Sequence, residues 1–254
     1  MLRRTFVRSA LNLSQMSPVK IKISQMHFSQ FRKPHLPTTK LQERIIVAGR
    51  DNDLKTLEEL KQFIRFANPN VAGNTPLHLA AINAHERAVE YLLKHNAPMY
   101  YRNSYGQQPF ELIFVNLFYY QKWSTYQKIQ KFNRILDLFL GHGLELNDRH
   151  NPSEPYLHLL ANLGALEACK ILHKKGADLN LCDHHGNTPL HIVATKGQYH
   201  KEQLEVARFL LANGAAHWAE NAKGKTPLDI AQSFNGHEEV GKLLSPYKTP
   251  KLRF

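Results

Sequence analysis

Apolar residues recur along most of the chain in short stripes that have the spacing of helix faces. Val89, Leu92 and Leu93 form one such stripe, and Val206 and Phe209 belong to another. Residues three or four apart lie on one face of an α-helix, so each stripe predicts a short amphipathic helix with one buried face. Many stripes end near a Gly or an Asn, which suits the left-handed backbone that terminates a helix. The pattern therefore predicts an all-α chain built from short helices.

A six-residue motif recurs among these helices. It reads Gly-Asn-Thr-Pro-Leu-His at residues 73–78 and again at 186–191, and Gly-Lys-Thr-Pro-Leu-Asp at 224–229. Weaker copies occupy 106–111 and 153–158, so the five copies begin 33, 47, 33 and 38 residues apart along the chain. Thr can cap the first turn of a helix, and Pro suits that turn because the N–H that it lacks would be unpaired there anyway. Such self-similarity predicts a repeat protein.

The motif and its 33-residue period resemble those of the ankyrin-repeat family. The resemblance implies an all-α ankyrin-repeat solenoid of about six helix-turn-helix units with short β-hairpin loops. It also implies structural roles for the motif residues, with the His bridging backbone and hydroxyl groups of neighbouring repeats. These structural residues are Thr75, Pro76, Leu77, His78, His158, Thr188, Pro189, Leu190, His191, Thr226, Pro227 and Leu228. Glu111 and Asp229 stand where the other copies have His, so we expect their two repeats to be less well tied to their neighbours.

The boundaries of the units follow from the motif positions. A basic N-terminal arm at 1–39, expected to be disordered, precedes the repeat domain at 40–247, and a basic tail follows at 248–254. The six units lie near 40–72, 73–105, 106–152, 153–185, 186–223 and 224–247. The first unit lacks the motif, as expected of a capping repeat whose outer face meets water.

Two units are longer than the period because they contain inserts between their helices. The third unit carries 14 extra residues at 117–130, five of which are aromatic and none of which is Gly, Pro, Asp or Glu. An insert without helix breakers predicts that both helices of this unit are about two turns longer. Two interpretations of its aromatic residues stay open: they pack against their own helices, or they protrude as anchors for a partner. The fifth unit carries a short polar insert at 197–201, which predicts a surface loop.

The resemblance to ankyrin repeats also implies a protein partner, which would bind the hairpin tips and the adjoining first helices along the concave face. The candidate partner-binding residues are Arg102, Tyr105, Gln107, Tyr119, Trp123, Arg149, Asn151, His184, His185, Thr195 and Lys196. Trp, Tyr and Arg are the residue types most enriched at binding hot spots, so Tyr119 and Trp123 of the insert are the expected anchors. The same partner is expected to contact the adjacent tip at Arg102 and Tyr105.

Catalytic and cofactor chemistry is not predicted by any motif. Residues 182–185 include a Cys, an Asp and two His, but these crowd one hairpin tip, and no second Cys/His pair stands at zinc-ligand spacing. No phosphate-binding glycine loop is present, so neither a metal nor a cofactor is expected. The leading interpretation is therefore a non-catalytic interaction module or adaptor. Two alternatives stay open: a bacterial effector that acts on host proteins in a eukaryotic cell, and an enzyme with an unrecognised site.

The positive charge is concentrated in the N-terminal arm. The formal net charge is +12, and residues 1–40 hold eight Lys and Arg with no Asp or Glu, which leaves 25 − 21 = +4 for the rest. A nucleic-acid-binding surface would place the excess on the folded part, so no nucleic-acid partner is expected.

Cysteine content and hydropathy limit the expected location. Two cysteines are too few for a disulfide framework, which predicts the cytoplasm or another reducing intracellular compartment. Residues 1–15 are Arg-rich, so mitochondrial targeting stays open as an alternative, and the effector alternative implies secretion into a host cell. No apolar run is long enough to span a membrane, and a monomer is expected.

Overall fold

The fold is a stack of short helix pairs. The structure is a computed structural model that describes residues 39–66, 68–114, 117, 125–148, 154–195, 200–233 and 236–247. Its α-helices are α1 (Thr39–Asp51), α2 (Leu54–Glu59), α3 (Pro76–Ile82), α4 (Glu86–Lys94), α5 (Glu111–Phe114), α6 (Thr125–Gly141), α7 (Tyr156–Asn162), α8 (Leu166–Lys174), α9 (Pro189–Ala194), α10 (His200–Ala212), α11 (Pro227–Ala231) and α12 (Glu238–Leu244). Short 3-10 helices follow α2 at Lys61–Phe66 and α12 at Ser245–Tyr247. Within the described ranges no strand forms, so the prediction of an all-α solenoid is confirmed.

Three of the first helices begin at the Pro of the motif because the Thr before it caps them. Thr75 Oγ1 accepts a hydrogen bond from the N–H of His78, and Thr226 Oγ1 accepts one from the N–H of Asp229. Helix α9 begins at Pro189, and there Thr188 N donates a hydrogen bond to His191 Nδ1 at 3.1 Å. Such a cap satisfies an N–H that has no partner within the helix, so the local sequence sets where these helices start.

One apolar core runs through the stack. Leu77 of α3 and Leu190 of α9, the Leu of two motif copies, are fully buried. First helices pack on the first helix of the next unit, as α1 does on α3 and α7 does on α9, and α6 packs between the second helices α4 and α8. Contacts that pass between neighbouring units in this way are typical of a solenoid, whose stability is close to a sum of unit and interface contributions.

The insert of the third unit lengthens its second helix, as the sequence predicts. Helix α6 has 17 residues against nine in α4, a difference of about two turns. Helix α5 is described over four residues, and residues 115–116 that follow it lie outside the described part of the chain, so the lengthening of the first helix stays a prediction. Leu117 is fully buried, which makes the first residue of the insert part of the core. Residues 118–124 lie outside the described part of the chain.

The insert of the fifth unit corrects a prediction. The sequence predicted a surface loop at 197–201, but α10 already begins at His200, so the last two residues of the insert are helical. The reason is a contact with the preceding unit: Gln203 is fully buried, and its Nε2 donates a hydrogen bond to Asn162 O at 2.9 Å. This contact anchors the start of α10. Residues 196–199 are not among the described residues.

Candidate partner-binding surface

The hairpin tips are built around an Asn or Asp side chain that fixes the backbone of the turn. In the third unit, Asn103 Oδ1 accepts hydrogen bonds from the N–H groups of Tyr105 (3.0 Å) and Gln107 (2.9 Å). Asp183 and Asn221 hold two later tips by the same pair of bonds. Short polar side chains of this kind bind nearby backbone N–H groups and so favour tight turns. Each of these tips therefore presents its exposed side chains on a fixed backbone.

Neighbouring tips are joined to each other. Ser104 N donates a hydrogen bond to Ala72 O at 3.1 Å, and Ala222 N donates one to His185 O at 2.9 Å. Gly73 permits the first approach, because its φ is +75° and a Cβ there would lie 2.4 Å from Ser104 N. The turn therefore needs a residue that adopts a positive φ without strain and that has no Cβ, and glycine meets both conditions.

Buried histidines tie three of the tips to the first helix of the preceding unit. His78 Nε2 donates a hydrogen bond to Gln107 O at 3.0 Å, while its Nδ1 lies 2.8 Å from Thr75 Oγ1. His191 makes the equivalent bond to Lys225 O at 2.9 Å. Burial lowers the pKa of His78 to about 4 and also lowers the pKa of His191, so both rings are neutral at pH 7. A neutral ring with its proton on Nε2 can donate to the carbonyl and accept at Nδ1.

The fourth unit departs from this arrangement at one atom. His158 Nε2 donates a hydrogen bond to Asn187 O at 2.7 Å, and burial lowers the pKa of this histidine too. Its Nδ1 is buried and has no hydrogen-bond partner among the described residues. Pro155 occupies the N-cap position that Thr75 holds in the second unit, and Pro offers neither an N–H nor a hydroxyl.

The two positions without His are tied in other ways. The Asp229 carboxylate accepts hydrogen bonds from the N–H (3.0 Å) and the hydroxyl (2.9 Å) of Thr226, so it takes over the local half of the histidine's role. Glu111 is nearly buried and forms an ion pair with Arg102 across 3.9 Å. That these two repeats are less well tied to their neighbours stays a prediction.

A further ladder of hydrogen bonds joins successive units beside the ends of their second helices. Tyr100, Asn147 and Asn180 each donate to the carbonyl of the glycine that follows the next second helix, at 2.7, 2.9 and 3.4 Å respectively. Two of these three residues, Asn147 and Asn180, could have been found from the sequence, because each follows a Leu at the same place in its unit. The ladder holds the stack rigid on the side away from the turns between helices.

The structure separates the predicted partner-binding residues into three groups. Four are exposed: Tyr105, His184, His185 and Thr195. Arg102 and Gln107 are half-buried parts of the tip itself, since Arg102 Nη1 donates to Gly106 O at 2.6 Å and Gln107 O accepts from His78. The remaining five lie outside the described residues: Tyr119, Trp123, Arg149, Asn151 and Lys196.

Two exposed side chains on or near the same pair of tips, Val71 and Tyr101, are absent from the predicted set. Val71 is fully exposed on the preceding tip, and Tyr101 is 42% exposed with its ring edge-on to His78. We call Val71, Tyr101 and Tyr105 the tip patch. An alignment of the tips could have found Val71, because it stands two residues before the repeat glycine, as His184 does.

The tip patch and the first turns of α6 lie at opposite ends of α3. Gln107, on the tip, bonds to His78 in the first turn of α3, whereas Lys131 of α6 lies 3.4 Å from Ala84 O, beyond its last turn. Helix α3 has seven residues and is therefore about 10 Å long. A single partner can reach both regions only if it spans this length.

Glu154 lies close enough to Asp183, His184 and His185 to interact with their charges. Burial raises the pKa of Glu154, and the charge of Asp183 raises it further. Within the described residues, no group of three or more His, Cys, Asp and Glu side chains could hold a metal ion.

The described residues also include no helix with the length and apolar character needed to cross a membrane.

Protein-family profiles match most of these units. The profile described as "Ankyrin repeats (3 copies)" matches residues 129–218 and 157–252, and the profile described as "Ankyrin repeat" matches residues 72–104.

Individual relatives are similar to this chain over part of their length. The chain is 29% identical over 138 residues to ankyrin repeat domain-containing protein 13C of Danio rerio, covering 51% of this chain and 28% of that protein. It is 26% identical over 186 residues to NF-kappa-B inhibitor zeta of Homo sapiens, covering 72% and 23% respectively. It thus spans about a quarter of the length of these relatives. A solved ankyrin repeat domain from Acinetobacter baumannii AYE superposes with a TM-score of 0.60 at 21% identity, covering 80% of this chain and 96% of that one, which is a likeness of fold.

Proposed function

Because this chain belongs to the ankyrin-repeat family, we propose that it is a non-catalytic interaction module that binds a protein partner on its hairpin tips and adjoining first helices. Ankyrin repeats generally mediate protein–protein interaction. Among the relatives, NF-kappa-B inhibitor zeta is by its name an inhibitor of another protein, and the proposal gives this chain a regulatory or adaptor function of the same general kind.

The tip patch is the observation that carries the proposal. Val71 and Tyr105 are exposed on two tips that a backbone hydrogen bond joins, and Tyr101 is exposed four residues before Tyr105, with its ring against His78. Contiguous apolar side chains on the surface of a soluble protein mark interaction sites more often than isolated ones do. Tyr is also among the residues most enriched at binding hot spots.

The rigidity of the tips supports the same function. Asn103 fixes the turn that bears Tyr105, and His78 fixes the turn to α3. A surface that is already ordered loses little conformational freedom when it binds, so more of the contact energy remains as affinity. The exposed His184, His185 and Thr195 extend the proposed surface along the later units.

The insert enters this proposal as a second contact region. Tyr126, at the start of α6, is its most exposed described aromatic residue, at 73%. The proposed anchors Tyr119 and Trp123 belong to the same segment. Since Leu117 is part of the core, deleting the whole insert would test folding and binding together, and single substitutions are the better probe.

The experiment compares capture of partners by three forms of the tagged chain. Tyr105→Ala combined with Tyr101→Ala removes two side chains of the tip patch, and Tyr247→Ala removes a similarly exposed tyrosine from the end of the stack. We expect the tip variant to lose a specific partner that the wild type and the Tyr247 variant retain, with about tenfold or greater loss of affinity on purified components. Equal capture by all three forms, with unchanged melting, would remove the tip patch from the proposed function.

The proposal places the module in a reducing compartment as a monomer. Cys169 is fully buried and Cys182 is exposed, and neither forms a disulfide bond. The effector alternative concerns where the module acts, and it would use the same surface.

A further inference from the structure

A groove lies between α4 and the first turns of α6, at the far end of the helix pairs from the tips. Its cavity volume is about 250 Å³, and it is lined by Glu86, Tyr126, Gln127, Gln130, Lys131 and Arg134. The groove exists because α6, with 17 residues, extends past the nine-residue α4 at this end. It is therefore a consequence of the insert in the third unit.

The α6 wall of the groove carries one exposed aromatic ring and a row of polar groups. Tyr126, Gln130 and Arg134 are four residues apart, so they lie along one face of the helix. Tyr126 is 73% exposed and the Arg134 side chain is 66% exposed. Both side chains are open to a molecule that enters the groove.

The charge of the groove is positive. Helix α6 carries Lys128, Lys131 and Arg134 before its first acidic residue, Asp137. Among the six lining residues Glu86 is the one acid, and it serves two cations: Oε1 lies 3.4 Å from Lys131 Nζ, and Oε2 lies 3.2 Å from Arg134 Nη1. One carboxylate between two cations leaves a net positive site.

These contacts give the two cations different roles. Lys131 Nζ is also 3.4 Å from Ala84 O and its side chain is 25% exposed, so it forms part of the groove's floor. Arg134 lies on the rim, and one nitrogen of its guanidinium faces Glu86. A guanidinium has five N–H donors in a planar fork that matches a carboxylate, so the outer edge of Arg134 suits an incoming acid.

We propose that this groove binds an acidic peptide segment of the protein partner, with a carboxylate on Arg134 and an apolar or aromatic side chain against Tyr126. The proposal rests on the proposed function, because it names the chemistry of the partner and a second place where the partner docks. A peptide fits better than a nucleic acid, since the chain outside residues 1–40 has an excess of only 25 − 21 = +4 and a phosphate backbone needs a broad basic surface.

The test uses the full chain and two short fluorescein-labelled peptides. In one peptide glutamates flank a single phenylalanine, and in the other glutamines replace the glutamates. By fluorescence anisotropy we expect the wild type to bind the glutamate peptide about tenfold or more tightly than the glutamine peptide, with affinity that falls as salt rises. Arg134→Gln and Tyr126→Ala should each weaken binding of the glutamate peptide about tenfold.

Arg208→Gln is the matched control. Arg208 is exposed on α10 and pairs with a glutamate of its own helix, so the substitution makes the same charge change away from the groove and should leave affinity unchanged. Melting curves establish that every variant is folded. Equal binding of the two peptides, no effect of Arg134→Gln, or tighter binding of a single-stranded oligonucleotide than of the glutamate peptide would overturn the proposal.

The outcome is separable from that of the proposed function. If partner capture depends on Tyr105 but the glutamate peptide does not bind, the module stands and the groove proposal fails. If Arg134→Gln weakens peptide binding while partner capture is unchanged in the variant that lacks Tyr105 and Tyr101, the groove proposal is supported and the tip patch is removed from the proposed function.

Discussion

At the residue scale, three buried histidines make the stability of the stack depend on pH. His78, His158 and His191 have pKa values lowered by burial, that of His78 to about 4, against about 6.5 for a free histidine. The unfolded chain therefore binds more protons than the folded chain below pH 6.5. The contribution of the neutral histidines to the free energy of unfolding is fully present above that pH and is lost as the pH falls towards 4. For His78 alone we expect a loss of about 2 kcal/mol between pH 7 and pH 5.

Urea unfolding at a series of pH values measures this effect. His78→Asn should flatten the pH dependence, because Asn cannot titrate. His184→Asn, on an exposed tip, removes a histidine without removing a buried one, and it should leave the slope as in the wild type. A wild-type stability that does not change over this window would contradict the burial argument.

The missing cap in the fourth unit gives a second prediction at this scale. Pro155→Thr would supply His158 Nδ1 with the N–H and hydroxyl that Thr75 supplies to His78. Two hydrogen bonds at roughly 0.5–1.5 kcal/mol each should outweigh the roughly 0.4–1 kcal/mol that proline contributes through the unfolded chain. We expect the variant to be more stable than the wild type by about 1 kcal/mol, measured by denaturant midpoint.

Pro155→Ala separates the two causes, since it restores the N–H but not the hydroxyl. A Pro155→Thr variant that is no more stable than Pro155→Ala would show that His158 gains nothing from a threonine cap.

At the element scale, the start of α10 is held by the turn of the preceding unit. Gly164 lies in that turn with φ +65°, and a Cβ there would lie 2.4 Å from Glu202 Cβ. Gly224 has nearly the same φ, +63°, but its nearest atom would be 4.0 Å away. Both alanine substitutions cost about 1–2 kcal/mol of backbone strain, and only Gly164→Ala adds a clash. We expect Gly164→Ala to be the more destabilising by at least about 1 kcal/mol in thermal or urea unfolding.

The same elements show what the sequence could and could not predict. The starts of α3, α9 and α11 follow from Thr-Pro, because a cap acts within four residues. The early start of α10 depends on Gln203 meeting Asn162 of another unit, and no local pattern reports that contact. The groove cannot be predicted from the sequence for the same reason, since Glu86 and Arg134, which line it, are 48 residues apart in the chain. The sequence alone does predict that Tyr105 and His184 are exposed, because the repeat fixes which positions lie on a tip.

At the scale of the whole molecule, the period predicted the stack and the inserts set its irregularities. A 33-residue repeat with an apolar stripe on each helix cannot bury its core alone, so neighbours must supply the missing surface. The motif positions place both inserts between the two helices of a unit, which is the end away from the tips. Among the described residues, α6 lengthens the third unit at this end, so the groove beside Arg134 is separate from the exposed side chains of the tips.

Nearest-neighbour packing predicts how damage spreads through the stack. Leu190 is fully buried in α9, which packs against α7, α10 and α11. Leu190→Ala should cost about 2–5 kcal/mol through lost transfer energy and the cavity it leaves. Because contacts pass from unit to unit, hydrogen-exchange protection should fall most in the fourth, fifth and sixth units and least in the first two. Leu77→Ala, at the equivalent and equally buried position of α3, should reverse this gradient. A uniform loss of protection in both variants would mean that the chain unfolds as one cooperative block, and a cost below about 1 kcal/mol would mean that the cavity collapses.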